Sequence, residues 1–254
     1  MRMLTTEHKS SFDQNGYIHL PGFYDTDEMS EMRDQFHDLI VNTDDRPEAL
    51  KYSFMEPVEG YGLDSYNPKN VHGIMDQTLA NDYWYNQFVE PRIVQVMSEL
   101  LGPNLDFHNG KVRNNPPGFT NHQSWHQDWP YERHTVPELA AAITYLEEND
   151  VDAGATSVIP GSHLQGEYPT IEDSHTIPGD ALDADPVVVY AKPGDVVVIH
   201  VLVVHKAGHN YTKTSRHKII NEYKTQKAVD RWGNRCAFAG LPLTRNGEIV
   251  THPV

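Results

Sequence analysis

The feature that most constrains the fold is a change of texture after residue 105, where short β-prone runs alternate with turns. Lys192-Pro193-Gly194-Asp195 separates two valine-rich runs and is typical of a tight turn between strands. Many short strands with frequent turns predict a β-sandwich or a barrel. The runs are AAITYLEE, GATSVIPGSH, PVVVYA, DVVVIHVLVVH and HKIINEYKT.

The first third of the chain carries helical patterns instead. Asp25 followed by Glu28 resembles a capping box, and the residues after it place apolar side chains on one helical face. A second helix is predicted to begin near Pro91 and to end at Gly102-Pro103. The apolar stripes are Met29, Met32, Phe36, Leu39 and Ile40 in the first helix, and Ile93, Val96, Met97, Leu100 and Leu101 in the second.

Helices first and strands afterwards predict a mainly β protein whose flanking helices pack against one sheet. No repeat, low-complexity block or Gly/Ser linker divides the 254 residues, so a single domain over residues 1–254 is expected. Its helical part would cover about residues 1–104 and its strand core about residues 105–235. The stretch 48–82 is predicted to be a long irregular loop, either a lid over a binding site or an ordinary surface excursion.

Composition narrows the function classes. The formal net charge of −16 argues against nucleic acid and anionic membranes as partners. No apolar run approaches the ~18 residues of a membrane span, and the N-terminus shows no secretory signal. The one cysteine, Cys236, rules out an internal disulfide, so a cytoplasmic protein is expected and the oligomeric state stays open.

Two residue types that bind metals occur together in WHQDWP, at His126 and Asp128. The motif alone is weak, because 15 His and 36 acidic residues in 254 predict roughly two His-x-acid matches by chance. Residues i and i+2 of a strand point to the same face, so both side chains could reach one ion. Trp125 and Trp129 flank the pair, and Pro130 is expected to end the strand.

The third ligand has two candidates on the next valine-rich strand, His200 and His205. Their odd separation puts them on opposite faces, and we favour His205, where the apolar run meets a polar loop. Two imidazoles and one carboxylate can hold one face of iron(II) and leave the other face open for a chelating cosubstrate and oxygen. Arg216, eleven residues further on, has the fork geometry to bind the far carboxylate of a 2-oxo diacid, although a surface ion pair would explain it equally well.

Jointly, these residues resemble the phytanoyl-CoA dioxygenase family of iron(II)- and 2-oxoglutarate-dependent oxygenases, and the resemblance runs over most of the chain. It implies a double-stranded β-helix core of the jelly-roll, cupin-like kind. It also implies that His126, Asp128 and His205 form the catalytic iron site and that Arg216 binds the distal carboxylate of 2-oxoglutarate. The segments that carry it are FDQNGYIHLPGFYDTDEMSEMRDQF, EPRIVQVMSELLGPNL, WHQDWPY, NDVDAGATSVIPGSH and KPGDVVVIHVLVVHKAGHNYTKTSRHKIINEY.

The reaction that the resemblance implies is hydroxylation of a substrate, with release of succinate and carbon dioxide and with ascorbate as a candidate reductant. One departure from the family concerns the residue two positions after the distal histidine. Many members have Ser there, whereas this chain has Ala207. A polar contact to the cosubstrate would then come from another residue, and the candidates are Gln123, Thr144 and Asn210.

The expected substrate is a small polar or anionic metabolite, such as an amino acid, a phosphonate or a natural-product intermediate. For each residue that could contact it, ordinary packing or surface placement is the alternative. Two rival functions remain: a cupin-like metal enzyme that uses no 2-oxoglutarate, and a non-catalytic ligand-binding member of the fold. The candidate substrate-binding residues are Trp129, Tyr131, Arg133, Lys111, Arg113 and Met75.

Overall fold

The computed structural model describes residues 3–41, 50–54, 71–117, 123–172, 174–182, 184–233 and 235–252. Its helices are α1 (Thr6–Asn15), α2 (Thr26–Val41), α3 (Asp82–Phe88), α4 (Pro91–Leu101) and α5 (Trp129–Glu132). Its strands are β1 (Tyr17–Leu20), β2 (Lys51–Phe54), β3 (Val71–Met75), β4 (Leu105–Asn115), β5 (Gln123–His126), β6 (Leu139–Tyr145), β7 (Thr156–Val158), β8 (Val187–Val188), β9 (Val196–His200), β10 (His205–Ala207), β11 (Arg216–Thr225), β12 (Thr244–Arg245) and β13 (Glu248–Ile249).

Two antiparallel sheets face each other and form the jelly-roll core that the resemblance implied. The large sheet has seven strands in the order β1-β9-β6-β11-β4-β3-β2. The small sheet has four strands in the order β5-β10-β7-β8. Strands that are distant in the chain are neighbours in both sheets, as the crossing connections of a jelly roll require.

Helices cover the outer face of the large sheet. The predicted capping box is present at α2, where Glu28 N donates to Asp25 Oδ1 at 3.0 Å and Asp25 N donates to Glu28 Oε2 at 2.8 Å. Helix α4 begins at Pro91 and is followed by Gly102 at φ 131°, as predicted. The apolar stripes of both helices join one buried cluster with residues of the large sheet such as Ala140 and Ala142.

The first 104 residues also contribute strands, which the sequence pattern did not predict as a group. β1 pairs with β9 at one edge of the large sheet, and β2 and β3 extend the other edge beside β4. Part of the stretch 48–82 is therefore a strand pair with a short 3-10 helix at Gln77–Leu79 and is not a continuous loop. Residues 55–70 of that stretch lie outside the described residues.

The side chains between the two sheets are apolar at one end of the strands and charged at the other. At one end Ile143, Tyr145, Val158 and Val203 pack in an apolar cluster. At the other end the inner face of β4 and β11 carries charged side chains, among them a buried Glu222. This polar end is where the candidate site lies. Within the described ranges, every helix is too short or too polar to cross a lipid bilayer.

Candidate metal centre and active site

His126 and His205 are direct partners across the small sheet. His126 is the last residue of β5, His205 is the first residue of β10, and the register pairs their Cα atoms. Their rings are 4.2 Å apart between centroids, and both residues are buried. Two imidazoles from distant parts of the chain therefore meet because β10 lies beside β5.

Backbone carbonyls fix which ring nitrogen of each histidine is available. His126 Nδ1 lies 2.7 Å from the carbonyl oxygen of Ser124, and His205 Nδ1 lies 3.0 Å from the carbonyl oxygen of Val203. A carbonyl can only accept, so each Nδ1 carries the proton and each Nε2 keeps its lone pair. Metal-binding histidines use this arrangement to set the tautomer and the ring orientation.

Asp128 completes a group of three ligand atoms that lie within 4.8 Å of one another. Its Oδ1 is 3.7 Å from His126 Nε2, and its Oδ2 is 3.8 Å from His205 Nε2. The expectation that His126 and Asp128 share one strand face is wrong, because β5 ends at His126 and Asp128 precedes α5. Pro130 therefore lies inside a short helix and does not end the strand.

Gln127 holds the bend between the two ligands. Its Nε2 donates to the carbonyl oxygens of Gly166 at 2.8 Å and Leu202 at 2.7 Å, and its Oε1 accepts from Tyr168 N at 2.9 Å. The side chain and its bond to Leu202 are buried, whereas the bonds to Gly166 and Tyr168 are partly buried. In the His-x-Asp motif Gln127 occupies the variable position, so the sequence did not indicate this role.

The protonation states of His126 and Asp128 suit the binding of a metal cation. Burial, followed by the charge of His205, lowers the pKa of His126 to about 4, so this imidazole is neutral at neutral pH. Burial raises the pKa of Asp128, but the charges of His205 and Lys111 outweigh burial and hold it below its usual value. A carboxylate and neutral imidazoles are the forms that bind a divalent metal.

His200, the other candidate for the third ligand, lies outside the ligand group of His126, Asp128 and His205. It ends β9 in the large sheet, and its Nδ1 accepts a hydrogen bond from Leu202 N at 3.1 Å. Its ring packs against Phe12 and His163, and burial followed by His163 lowers its pKa to about 4. The two histidines lie on different strands of different sheets, so the expectation that they share one strand is wrong. The ligand group contains His205, the histidine favoured for its place at the end of the apolar run.

Two connected cavities open at the ligand group. The outer cavity, of about 380 Å³, is lined by charged and polar side chains and includes the predicted residues Met75 and Tyr131. The inner cavity extends between the sheets and is lined by His205, Thr156 and Ile143 among others. Residues that line both cavities are Lys111, Arg113, Gln123 and Asp128.

Arg216 is buried at the start of β11, with an exposed fraction of 1%. Its Nη1 donates to Asn149 Oδ1 at 3.0 Å and to the carbonyls of Ala153 and Gly154. Burial lowers its pKa to about 10, so it keeps its charge. Arg216 lines neither of the two cavities. Its Nε lacks a hydrogen-bond partner among the described residues.

Two of the predicted cosubstrate contacts, Thr144 and Asn210, line neither cavity. Thr144 alternates with Ala141, Ile143 and Tyr145, which face the small sheet, so it belongs to the helix-covered face of β6. Asn210 is buried, but its Nδ2 donates to the carbonyls of Asn115 and Thr214 and its Oδ1 accepts from Thr212. The amide of Asn210 is therefore used up in shaping its own loop.

Two of the predicted substrate contacts, Trp129 and Arg133, also line neither cavity. Trp129 packs with Leu139 and Leu202 in a small apolar cluster and does not line either cavity. Arg133 is about half exposed and pairs with Glu167 at 3.3 Å between Nη2 and Oε1. Both residues have the packing or surface roles that their types most often have.

A polar network beside the ligand group was not predicted from the sequence. His108 and Glu132 are hydrogen-bonded, and Glu222 pairs with Lys111 and accepts from Asn109 Nδ2 at 2.8 Å. Burial, followed by the charge of Glu222, raises the pKa of Glu132. These residues lie far apart in the chain, and only strand pairing between β4 and β11 could have indicated the contacts of Glu222.

A jelly roll in which two histidines and one carboxylate converge at the polar end is typical of the non-haem iron(II) oxygenases. The family model for phytanoyl-CoA dioxygenase (PhyH) matches residues 12–218. The chain therefore belongs to the phytanoyl-CoA dioxygenase family.

Curated relatives are similar over parts of their length. A probable alpha-ketoglutarate-dependent hypophosphite dioxygenase of Stutzerimonas stutzeri is 31% identical over 151 residues, which are 56% of this chain and 51% of that protein. The peroxisomal phytanoyl-CoA dioxygenase of Rattus norvegicus is 24% identical over 237 residues, which are 87% of this chain and 68% of that protein. The chain thus spans about half of the first relative and about two thirds of the second.

Solved structures share the fold. EctD from S. alaskensis in its apoform has a TM-score of 0.74 at 19% identity, covering 94% of this chain and 84% of that one. The non-heme alpha ketoglutarate dependent carbocyclase SnoK from nogalamycin biosynthesis has a TM-score of 0.71 at 22% identity, covering 92% and 88%. At these identities the likeness shows the jelly-roll architecture and no particular substrate.

Proposed function

We propose that this protein oxidises a small polar or anionic metabolite with dioxygen, using iron(II) as its metal and 2-oxoglutarate as its cosubstrate. The observation that carries the proposal is the convergence of three ligand atoms, from His126, Asp128 and His205, at the junction of two cavities. For hydroxylation, one oxygen atom enters succinate and the other enters the product alcohol, with loss of carbon dioxide.

The donor set fits iron(II). Two imidazole nitrogens and one carboxylate are the ligands of the 2-His-1-carboxylate triad, and such a triad would leave metal positions for a chelating cosubstrate and oxygen. When bound, iron with 2-oxoglutarate supplies the oxygen activation and the hydrogen abstraction from the substrate. We assign metal binding to His126, Asp128 and His205.

The chain's own residues would orient the ligands and the cosubstrate. Carbonyls of Ser124 and Val203 hold the two imidazoles with Nε2 facing Asp128, and Gln127 holds the bend that presents Asp128. We place the far carboxylate of 2-oxoglutarate at the end of the inner cavity toward Arg216, where a buried cation and a free Nε favour an anion.

The outer cavity supports a small polar substrate. Its lining includes cations such as Arg113 and Arg235 and acids such as Glu132 and Asp230, so both signs of charge are available. Such a lining suits an amino-acid-like or anionic molecule better than a long apolar chain. We keep Lys111, Arg113, Tyr131 and Met75 as proposed substrate contacts.

Location in the cytoplasm stays a prediction from the single cysteine.

The test combines a spectrum with a product assay. Protein purified without oxygen should give the weak visible charge-transfer band of an iron(II)–2-oxoglutarate chelate when both are added. Asp128→Ala should remove the band and abolish succinate formation, because it removes the carboxylate ligand. Asp27→Ala, an exposed change at the start of α2, is the matched control and should leave both unchanged.

Two outcomes would count against the proposal. Absence of the band together with absence of 2-oxoglutarate binding would overturn it. Turnover of a substrate under air without any 2-oxoglutarate would favour the cupin-like rival instead. Unchanged succinate formation in Asp128→Ala would remove Asp128 from the site while leaving the cosubstrate assignment standing.

A further inference from the structure

A second group of metal-binding residue types lies on the wall of the outer cavity. His108 of β4, Glu132 at the end of α5 and His134 each offer one ligand atom, and the three atoms lie within 4.8 Å of one another. The group shares no residue with the three proposed iron ligands. It was not predicted from the sequence.

All three residues of this group are buried. The exposed fraction is 0% for His134, 3% for His108 and 8% for Glu132. The two imidazole rings are 4.6 Å apart between centroids. Histidine and glutamate are rarely buried this deeply unless they are paired or bind a metal.

The imidazole nitrogens of the group lack hydrogen-bond partners. Among the described residues, neither ring nitrogen of His134 has a partner, and Nδ1 of His108 has none. Nε2 of His108 is hydrogen-bonded to Glu132 Oε2 within the group. Buried polar atoms without partners are costly, and a bound water or ion commonly accounts for them. Three such nitrogens beside one carboxylate indicate a ligand between them.

The bend after α5 turns Glu132 and His134 to the same side. Arg133 lies between them in the left-handed region, at φ 44° and ψ 44°, where residues other than glycine are uncommon. Its side chain is 45% exposed and pairs with Glu167, whereas the residues before and after it are buried. Two ligands separated by one residue therefore face inward together.

The charges around the group favour a cation over a water molecule. Glu222 and Asp230 act electrostatically on the group, and each has a basic partner, Lys111 and Arg235 respectively. Glu132, in contrast, pairs only with an imidazole among the described residues. It is thus the carboxylate without a permanent cation, and a bound divalent ion would supply one.

The surroundings favour zinc among the divalent metals. His108 and Glu132 line the outer cavity and give an ion a route in, whereas His134 lines neither cavity. Burial leaves room for few water ligands, so three protein ligands and one further ligand from the cavity would make a four-coordinate site. Zinc adopts that geometry with histidine and carboxylate ligands, whereas iron(II) and Mn²⁺ favour six ligands.

We propose that His108, Glu132 and His134 bind a zinc ion, as a second metal site on the wall of the outer cavity. The ion would tie β4 to the end of α5. Asp128 directly precedes α5, so the zinc would hold one end of a short helix whose other end presents a proposed iron ligand. The inference does not depend on the proposed function, because its ligands are different residues.

The test counts zinc ions per chain. Protein freed of metal by a chelator is dialysed against a low concentration of free Zn²⁺, and bound zinc is measured by elemental analysis. Wild type should bind two ions, because zinc also accepts the ligands of the iron site. Glu132→Gln and Asp128→Ala should each bind one, and the double variant should bind none. Loss of a ligand should weaken zinc binding by more than the roughly 10- to 100-fold that loss of an outer partner costs.

His217→Asn is the matched control. His217 also pairs with a carboxylate, with 3.0 Å between its Nδ1 and Glu147 Oε1, but it belongs to neither group of three ligands. This variant should bind two zinc ions. Mn²⁺ is the control for the metal, and Glu132→Gln should bind it as wild type does. If Glu132→Gln does not fold, His134→Phe is measured in its place and should also lose one zinc ion.

Two results would overturn the inference. One is a wild-type protein that binds one zinc ion together with an Asp128→Ala protein that binds none. The other is a set of folded Glu132→Gln and His134→Phe proteins that bind as much zinc as wild type. A single ion that is kept in Asp128→Ala and lost in Glu132→Gln would support the second site and count against the iron site.

Discussion

Replacing Gln127 with Leu should both destabilise the fold and weaken the metal site. The change removes partners from the carbonyls of Gly166 and Leu202 and from the N–H of Tyr168. The bond to Leu202 is fully buried and should cost about 1–3 kcal/mol, and the two partly buried bonds about 0.5–1 kcal/mol each. A total of about 2–5 kcal/mol lowers the melting temperature of a chain this size by about 4–10 °C, at roughly 2 °C per kcal/mol.

The assay is thermal unfolding followed by circular dichroism, with a titration of iron(II) or Mn²⁺ on the folded protein. Because Gln127 orients Asp128 relative to His126, metal affinity should fall by about 10- to 100-fold. Gln14→Leu, an exposed change on α1, should stay within about 0.5 kcal/mol of wild type. A Gln127→Leu protein that melts with the wild type and binds metal equally well would refute the reasoning.

Three further outcomes are expected. His134 is fully buried, and burial followed by His108 lowers its pKa from 6.5 to about 4. Between these two pKa values the unfolded chain binds a proton that the folded chain does not. As the pH falls from 6.5 to 4, the free energy of unfolding should therefore fall by about 3 kcal/mol through this group. Urea titrations at several pH values should show a smaller pH dependence for His134→Phe. Gly154→Ala should lower the free energy of unfolding by about 3 kcal/mol, because φ is +73° and the added methyl would overlap the carbonyl oxygen of Gly208. Gly179→Ala, with open space around the added methyl, is its control. Equal stabilities of the two variants would contradict the argument. Mn²⁺ at 100 times its dissociation constant should stabilise the protein by about 2.7 kcal/mol, and a thermal shift that persists in Asp128→Ala would contradict the ligand assignment.

Local signals in the sequence were good guides to local structure. The capping box at Asp25 and Glu28 and the helix between Pro91 and Gly102 are present where they were predicted. These features depend on residues within a few positions of each other, so the chain needs no distant partner to specify them. The strand-rich texture after residue 105 likewise predicted the sandwich of two sheets, and the family resemblance specified its jelly-roll form.

Predictions that needed a side-chain direction were less successful. Thr144 has the right residue type, but the alternation of β6 turns it to the helix side. Asn210 is close to the site in sequence, yet its own loop consumes its hydrogen-bonding groups.

By itself, the sequence determined the chemical inventory: two histidines, one aspartate and a following arginine in the order that the family uses, on a chain patterned for strands. Only the tertiary structure decided which of these groups meet and which face a cavity. The register of β10 against β5 sets His205 opposite His126, and the register of β11 against β4 sets Lys218 opposite Arg113. Register is fixed by packing between residues that are far apart in the chain, and a slip of one residue would turn each of these side chains to the other face.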